Sequence, residues 1–315
     1  MAWSAAATAT RTGCAGVLAA VLVLVTVGCG TPARTTTPAP APSRTPINGT
    51  VLVTLRGRQF TLHIPASYDP AKPAPLLILL HGYTASGASQ ESYLKFTPES
   101  DRRGFLYAYP DGRIDPRHNH YWNATDACCD LFGSRVDDAG YLSDVIKRIE
   151  ATYRVDTRRV YLAGHSNGAF MAFRMACDHA DQITAVATLN GAMWQDVTRC
   201  KPTSQVSVLD IRSTADRTIR YAGGKILSNG YPSAARTDAD WLQLDHCAST
   251  STKAPALDLV TDLPGAETSV RRYTAGCDRG STVETWTIDN GVHVPSFGAA
   301  FATTVMQFLL SQVKS

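Results

Sequence analysis

The stretch YLAGHSNGAF, residues 161–170, runs from a few apolar residues into Gly164-His165-Ser166-Asn167-Gly168 and then returns to apolar residues. RVYLAG reads as a strand and SNGAFMAFRMACDHA as a helix, so a GxSxG sequence occupies the turn between them. A serine that must stand its hydroxyl clear of a sheet needs a sharp, strained turn. Glycines on both sides remove Cβ atoms that would collide there. Ser166 is therefore the candidate nucleophile.

A serine hydroxyl attacks a carbonyl only when a base takes its proton, and the base needs an acid to orient it. On a strand–turn–helix scaffold of this kind the acid follows the serine and the histidine comes last. Of the eight histidines, only His246 and His293 lie beyond the acid candidates. His246 sits in an expected helix beside Cys247, where a structural or solvent-facing role is expected. His293 lies in the loop DNGVHVPS, after the strand VETWTI and before the last helix, where such a fold presents its base. Two aspartates compete as the acid. Asp210 lies within the strand VSVLDI, whereas Asp216 lies beyond its carboxyl end, where ligand-facing residues of open sheets gather. Asp216 is chosen. The oxyanion needs two backbone N–H donors, expected from Asn167 and from Tyr83 in the loop after LLILLHG. His81 in that loop is expected to be buried, its ring bonded to backbone.

The remaining pattern places this turn in an α/β chain. VLVTLRGRQFTLHIP reads as a hairpin about Arg56-Gly57-Arg58. LLILL (76–80) and FLYAYP (105–110) are short continuous apolar runs, as in strands buried on both faces. DDAGYLSDVIKRIEATY is an amphipathic helix opening on an aspartate cap. ITAVATLNG, VSVLDIRS and VETWTIDNG add strands, and residues 231–247 and 297–313 add helices. Strands alternating with helices imply a mostly parallel, doubly wound sheet with helices on both faces.

The amino-terminal segment belongs to another class. Arg11 followed by an apolar run (17–27) and small residues reads as a secretory signal, too short to span a bilayer comfortably. Its end, VTVGC, resembles a bacterial lipobox, which would make Cys29 the lipidated first residue of the mature chain; an ordinary cleaved signal is the alternative. Residues 30–50, rich in Thr, Pro, Ala and Ser, read as a disordered tether. Residues 51–315 form the expected catalytic domain. The whole chain has 30 Lys+Arg and 27 Asp+Glu, and three of the arginines but no acid precede residue 51. A domain so balanced offers no electrostatic footprint for nucleic acid or an anionic membrane, so membrane contact is expected only through a lipid anchor. Six cysteines fall in the domain, and an even number in an exported chain implies disulfides. Cys247 and Cys277 flank one polar loop region between a helix and a strand, which makes them the first expected pair. Cys177 ends the helix after the serine and Cys200 follows the next strand. That would leave the neighbours Cys128 and Cys129 for each other, one of the fifteen connectivities that six cysteines allow and that sequence alone does not fix. Neither a CxxC pair nor a Cys/His set at zinc-ligand spacing appears, so no metal or other cofactor is expected.

LLILLHGYTASG, YWNATDACC followed by VDDAGYLSDVI, VYLAGHSNGAFMAFRMAC, STADRTIRYAGG and TWTIDNGVHVP occur in the order seen in a family of secreted esterases. The family groups polyhydroxybutyrate depolymerases, feruloyl esterases and acetylxylan esterases, with actinobacterial lipoproteins among them. The resemblance covers nearly all of 51–315 and implies the α/β-hydrolase fold, with Ser166, Asp216 and His293 as the triad. It departs at Arg212-Ser213, where members often carry His-Gly, and at Val292 and Pro295, where a second glycine and a tryptophan are frequent. These positions put the substrate in doubt. Tyr83, Tyr121, Trp122 and Trp194 either line an acyl or aryl pocket or belong to the core.

The expectation is a secreted, monomeric serine esterase acting on small or polymer-derived esters. A peptidase or acyltransferase on the same scaffold is the alternative among enzymes, and a silent surface-binding lipoprotein the alternative among binders. The stretch between Asp216 and His293, where lids can enter, is rich in Ser, Thr, Asp, Gly and Arg, which points to short or aromatic acyl groups rather than long lipid chains.

Overall fold

The computed structural model describes residues 48–315. The signal, Cys29 and nearly all of the tether lie outside the described residues. In chain order the strands are β1 (Gly49–Leu55), β2 (Arg58–Ile64), β3 (Ala74–Leu80), β4 (Leu106–Pro110), β5 (Arg113–Ile114), β6 (His120–Tyr121), β7 (Val155–His165), β8 (Ala185–Leu189), β9 (Ser207–Ser213), β10 (Gly224–Ile226), β11 (Asn229–Tyr231), β12 (Thr252–Leu257), β13 (Thr268–Tyr273) and β14 (Val283–Ile288). The helices are α1 (Gly87–Leu94), α2 (Thr97–Arg103), α3 (Asp138–Glu150), α4 (Asn167–Asp178), α5 (Ala234–Leu244) and α6 (Ala300–Ser311). β1 starts at Gly49, two residues inside the stretch read as tether.

Ten strands form one sheet in the order β1-β2-β4-β3-β7-β8-β9-β14-β13-β12. The run from β4 to β14 is parallel, and antiparallel strands close both edges. The apolar run of β3 is continuous because both of its faces are covered. Leu76, Ile78 and Leu80 enter one core cluster, and Leu77 and Leu79 enter the other, with all five fully buried. Each such side chain contributes about 1.5–3 kcal/mol by leaving water.

From β3 the chain moves to β4 on one side, and then crosses to β7 on the other. The carboxyl ends of β3 and β7 therefore flank a topological switch point, the crevice where open parallel sheets take ligands. His81-Gly82-Tyr83 leaves one end and Ser166 the other.

Two departures from the sequence reading matter. The polar stretch between Cys247 and Cys277 is not a loop. It forms β12 and β13, an antiparallel ribbon on the sheet edge, and these strands are mostly exposed, so no apolar alternation marked them. The short helices α1 and α2 also went unread; α1 has almost no amphipathic pattern and is held by a Ser86–Ser89 capping box. Disulfides join Cys128 to Cys129, Cys177 to Cys200 and Cys247 to Cys277. The last closes the base of the β12–β13 ribbon.

The two glycines around the serine have steric reasons. A Cβ on Gly164 would lie 2.2 Å from the Gly168 carbonyl oxygen, and one on Gly168 would lie 2.1 Å from that of Leu80. Gly168→Ala should therefore lose about 1–3 kcal/mol or more in urea unfolding, since backbone must move. Gly298→Ala, whose Cβ meets nothing nearer than 3.4 Å, should stay within about 0.5 kcal/mol of wild type. Equal midpoints for the two variants would contradict this packing.

Candidate active site

Ser166 joins β7 to α4 with φ 54° and ψ −120°, a left-handed conformation that side chains rarely adopt. Such strain persists only where surrounding structure enforces it. Here the Ser166 N–H donates to the Leu189 carbonyl (2.8 Å), and its own carbonyl accepts the first N–H groups of α4, from Ala169 and Phe170.

The hydroxyl meets His293 in the loop after β14. Ser166 Oγ lies 2.9 Å from His293 Nε2, and His293 Nδ1 lies 2.7 Å from Asp216 Oδ2. The Asp216 side chain is fully buried, and its other oxygen accepts the N–H groups of Thr218 (2.7 Å) and Ile219 (2.9 Å). A carboxylate so bonded stays fixed, and its free lone pairs select the Nδ1–H tautomer of His293. Asp210 does not join this chain. It accepts the Thr188 hydroxyl (2.7 Å) inside the sheet, and burial raises its pKa.

The loop after β3 lies against the serine: a Cβ on Gly82 would stand 3.4 Å from Ser166 Cβ. The backbone N–H groups of Tyr83 and Asn167 have no acceptor among the described residues. This is the state expected of donors that await an oxyanion. The loop is held from below. His81 Nε2 accepts the Gly112 N–H (2.8 Å), so its Nδ1–H donates to the Gly82 carbonyl (2.7 Å). Burial lowers the His81 pKa to about 4 and keeps the ring neutral, as that pattern requires. The Gly82 N–H donates to Gln90 Oε1 (3.1 Å), and the Tyr83 hydroxyl donates to Asp115 (2.6 Å).

The aromatic positions divide. Trp122 is fully buried, packs at a tilt against His81 (4.9 Å between centroids) and donates its indole N–H to the His81 carbonyl. Tyr121 is buried too, its hydroxyl paired with Ser134. Trp122 thus supports the loop after β3, and both side chains are buried in the core, the alternative to a pocket lining that residue type alone leaves open. Trp194 borders an open cleft of about 670 Å³, shared with Asn123, Arg174, Leu227 and Asn229, and the Arg199 guanidinium lies 4.1 Å over its ring.

Two residues of the site, His165 and Asn190, and the side chain of a third, Asn167, have no role in the sequence reading. The Asn167 side chain accepts the Trp122 N–H (2.7 Å) and donates to the Trp122 carbonyl (2.9 Å), tying the turn at Ser166 to the 122–129 segment. His165 and Asn190 both reach the His293 carbonyl. All three contacts span more than forty residues, so no local pattern announces them.

Residues 59–227 match a family model described as esterase PHB depolymerase. That range includes Ser166 and Asp216; His293 lies beyond it. The chain is 27% identical over 261 residues to feruloyl esterase B of Piromyces equi, covering 80% of this chain and 46% of that one. It is also 27% identical over 198 residues to poly(3-hydroxyalkanoate) depolymerase C of Paucimonas lemoignei, covering 63% and 45%. The chain thus spans less than half the length of these relatives. Among solved structures, an acetyl xylan esterase from Aspergillus awamori superposes with a TM-score of 0.61 at 12% identity, over 83% of this chain and 99% of that one. That likeness speaks for the fold, which is the α/β-hydrolase fold.

The buried histidines give the site a titration signature. Burial, and then the nearby His293, lower the His165 pKa to about 4, as burial does for His81. The folded state thus binds fewer protons than the unfolded chain between about pH 4 and 6.5. The stability these two rings confer is complete above about pH 6.5 and is lost as pH falls through about 4. In ¹⁵N-detected NMR at pH 5.5, His81 should be neutral with Nδ1 protonated and His165 neutral with Nε2 protonated. Exposed His246, whose pKa Asp278 raises, should be charged. Charged His81 and His165 at that pH would contradict the burial argument.

Proposed function

The chain belongs to the esterase PHB depolymerase family, and from that premise we propose that it hydrolyses carboxylic esters through an acyl-enzyme, with Ser166 as nucleophile, His293 as base and Asp216 as its orienting acid. The observation that carries this reading is the unbroken hydrogen-bonded chain from Ser166 Oγ through His293 to a buried, doubly N–H-bonded Asp216. Ser166 Oγ attacks the ester carbonyl as its proton passes to His293 Nε2. The oxyanion rests between the Tyr83 and Asn167 N–H groups. His293 then gives the proton to the departing alcohol, leaving the acyl group on Ser166. Water, deprotonated by His293, attacks that acyl carbonyl; the acid leaves and Ser166 recovers its proton. Asp216 stabilises the imidazolium formed in each half.

The substrate class proposed is short or aromatic acyl esters. Between Asp216 and His293 the chain builds α5, a small β10–β11 hairpin and the edge ribbon β12–β13, none of which is an apolar roof for a long acyl chain. The named relatives that act on feruloyl and hydroxyalkanoate esters favour the same choice. Three disulfides support export, since such bonds persist in oxidising compartments. A lipid anchor at Cys29 belongs to the same proposal and rests on the lipobox-like sequence alone.

Ser166→Ala should lose on the order of 10⁴-fold or more in kcat on a nitrophenyl ester while keeping its melting temperature, and His293→Ala a similar factor. Across nitrophenyl esters of rising chain length, kcat/KM should peak at short acyl groups, with methyl ferulate as the aromatic arm. Near-normal turnover by Ser166→Ala would refute the nucleophile, and a maximum at long chains would refute the shallow site.

A further inference from the structure

Immediately around His293 its loop has little side-chain packing. Val292 and Val294, on either side of the histidine, are 49% and 54% exposed. This stretch is held instead by carbonyl oxygens. Gly291 O accepts the Ala215 N–H (2.9 Å), and Pro295 O accepts the Tyr93 hydroxyl (2.8 Å). Between them, His293 O accepts two donors at once, His165 Nε2–H (2.9 Å) and Asn190 Nδ2–H (3.1 Å).

We propose that His165 and Asn190 are positioning residues for the base, and that their convergence on the His293 carbonyl sets the imidazole between Ser166 and Asp216. The proposal rests on the reading of His293 as the base. Each donor comes from the end of a different parallel strand. His165 is the last residue of β7 and precedes the nucleophile; Asn190 directly follows β8. Asn190 does more than hold one carbonyl. Its Oδ1 accepts the Ser213 N–H (2.8 Å), and its Nδ2 also reaches Ser213 Oγ (3.0 Å) and Val292 O (3.1 Å). Ser213 stands three residues before Asp216, so one amide brackets the segment bearing the acid to the loop bearing the base. Asn190 adopts φ 50°, a left-handed conformation that asparagine tolerates better than most residues.

His165 suits its place for a second reason. Its ring lies 5.0 Å from that of His293 and is buried. A charged ring there would oppose the imidazolium that forms on His293 in each half-reaction. Burial keeps His165 neutral, so it donates a hydrogen bond without adding a like charge.

The test compares His165→Phe, which keeps a ring but no N–H, with His165→Gln, whose amide N–H replaces Nε2–H, and with Asn190→Ala. Each is assayed for kcat and KM on a short nitrophenyl ester, for melting temperature, and for the low-field proton resonance of the His293 Nδ1–H bonded to Asp216. His165→Phe and Asn190→Ala should lose on the order of 10–100-fold in kcat, the scale that small misplacement of a reacting group exacts. KM should change less than about threefold, and the low-field resonance should shift or broaden; His165→Gln should recover most of the rate. If His165→Phe does not fold, the same comparison of rate and resonance is made between Asn190→Ala and His165→Gln. Folded variants with wild-type kcat and an unmoved resonance overturn the proposal. Ser166→Ala in the same assay separates two failures. If it is inactive while His165→Phe is unimpaired, the positioning role alone falls. If it is active, the positioning role falls together with the triad.

Discussion

The tight contact between the first turn of α4 and the end of β3 is the constraint on which the site depends. Gly168 rests against the carbonyls of Leu80 and His81 at a distance no Cβ could share, and Gly164 rests against Gly168 in the same way. This closeness allows the strained turn at Ser166. It also delivers the loop after β3 to the serine, because the carbonyls that Gly168 touches lead directly into Gly82 and Tyr83. One steric requirement thus exposes the hydroxyl and brings the second N–H donor beside it. The switch in strand order between β3 and β7 leaves the crevice above that contact open.

Around this contact the buried polar groups are matched in series. Gly112 donates to His81, His81 to Gly82, the Trp122 indole to the His81 carbonyl, and the Asn167 amide closes on both backbone groups of Trp122. A buried donor or acceptor left without a partner costs about 1–3 kcal/mol, so each link constrains the next. The series needs a neutral His81, and its burial supplies one. The loop of His293 obeys the same logic on the other side of the serine, where backbone carbonyls hold the stretch around the exposed Val292 and Val294.

Much of this was legible in the sequence because it depends on local pattern. The continuous apolar run of β3 announces a strand covered on both faces, and GxSxG between a strand and a helix announces the turn. Asp216 could be preferred to Asp210 from its place beyond a strand end, and their hydrogen bonds in the structure differ accordingly. Other features have no local pattern to read. β12 is a mostly exposed edge strand and β13 beside it carries only two buried residues, so their alternation is faint. Whether Trp122 lines a pocket or fills a core depends on His81, forty-one residues away. His165 passes as the variable residue of GxSxG, and Asn190 as the tail of the strand ITAVATLNG. Their meeting at the His293 carbonyl exists only once three strand ends come together.

The central claim is that one serine, activated across this turn, carries the chemistry. Labelling the intact protein with a fluorophosphonate and mapping the modified peptide tests it most directly. The account predicts one label per chain, on Ser166, abolished in His293→Ala. A chain that takes no label, or takes it on another serine with Ser166 unmodified, would contradict it.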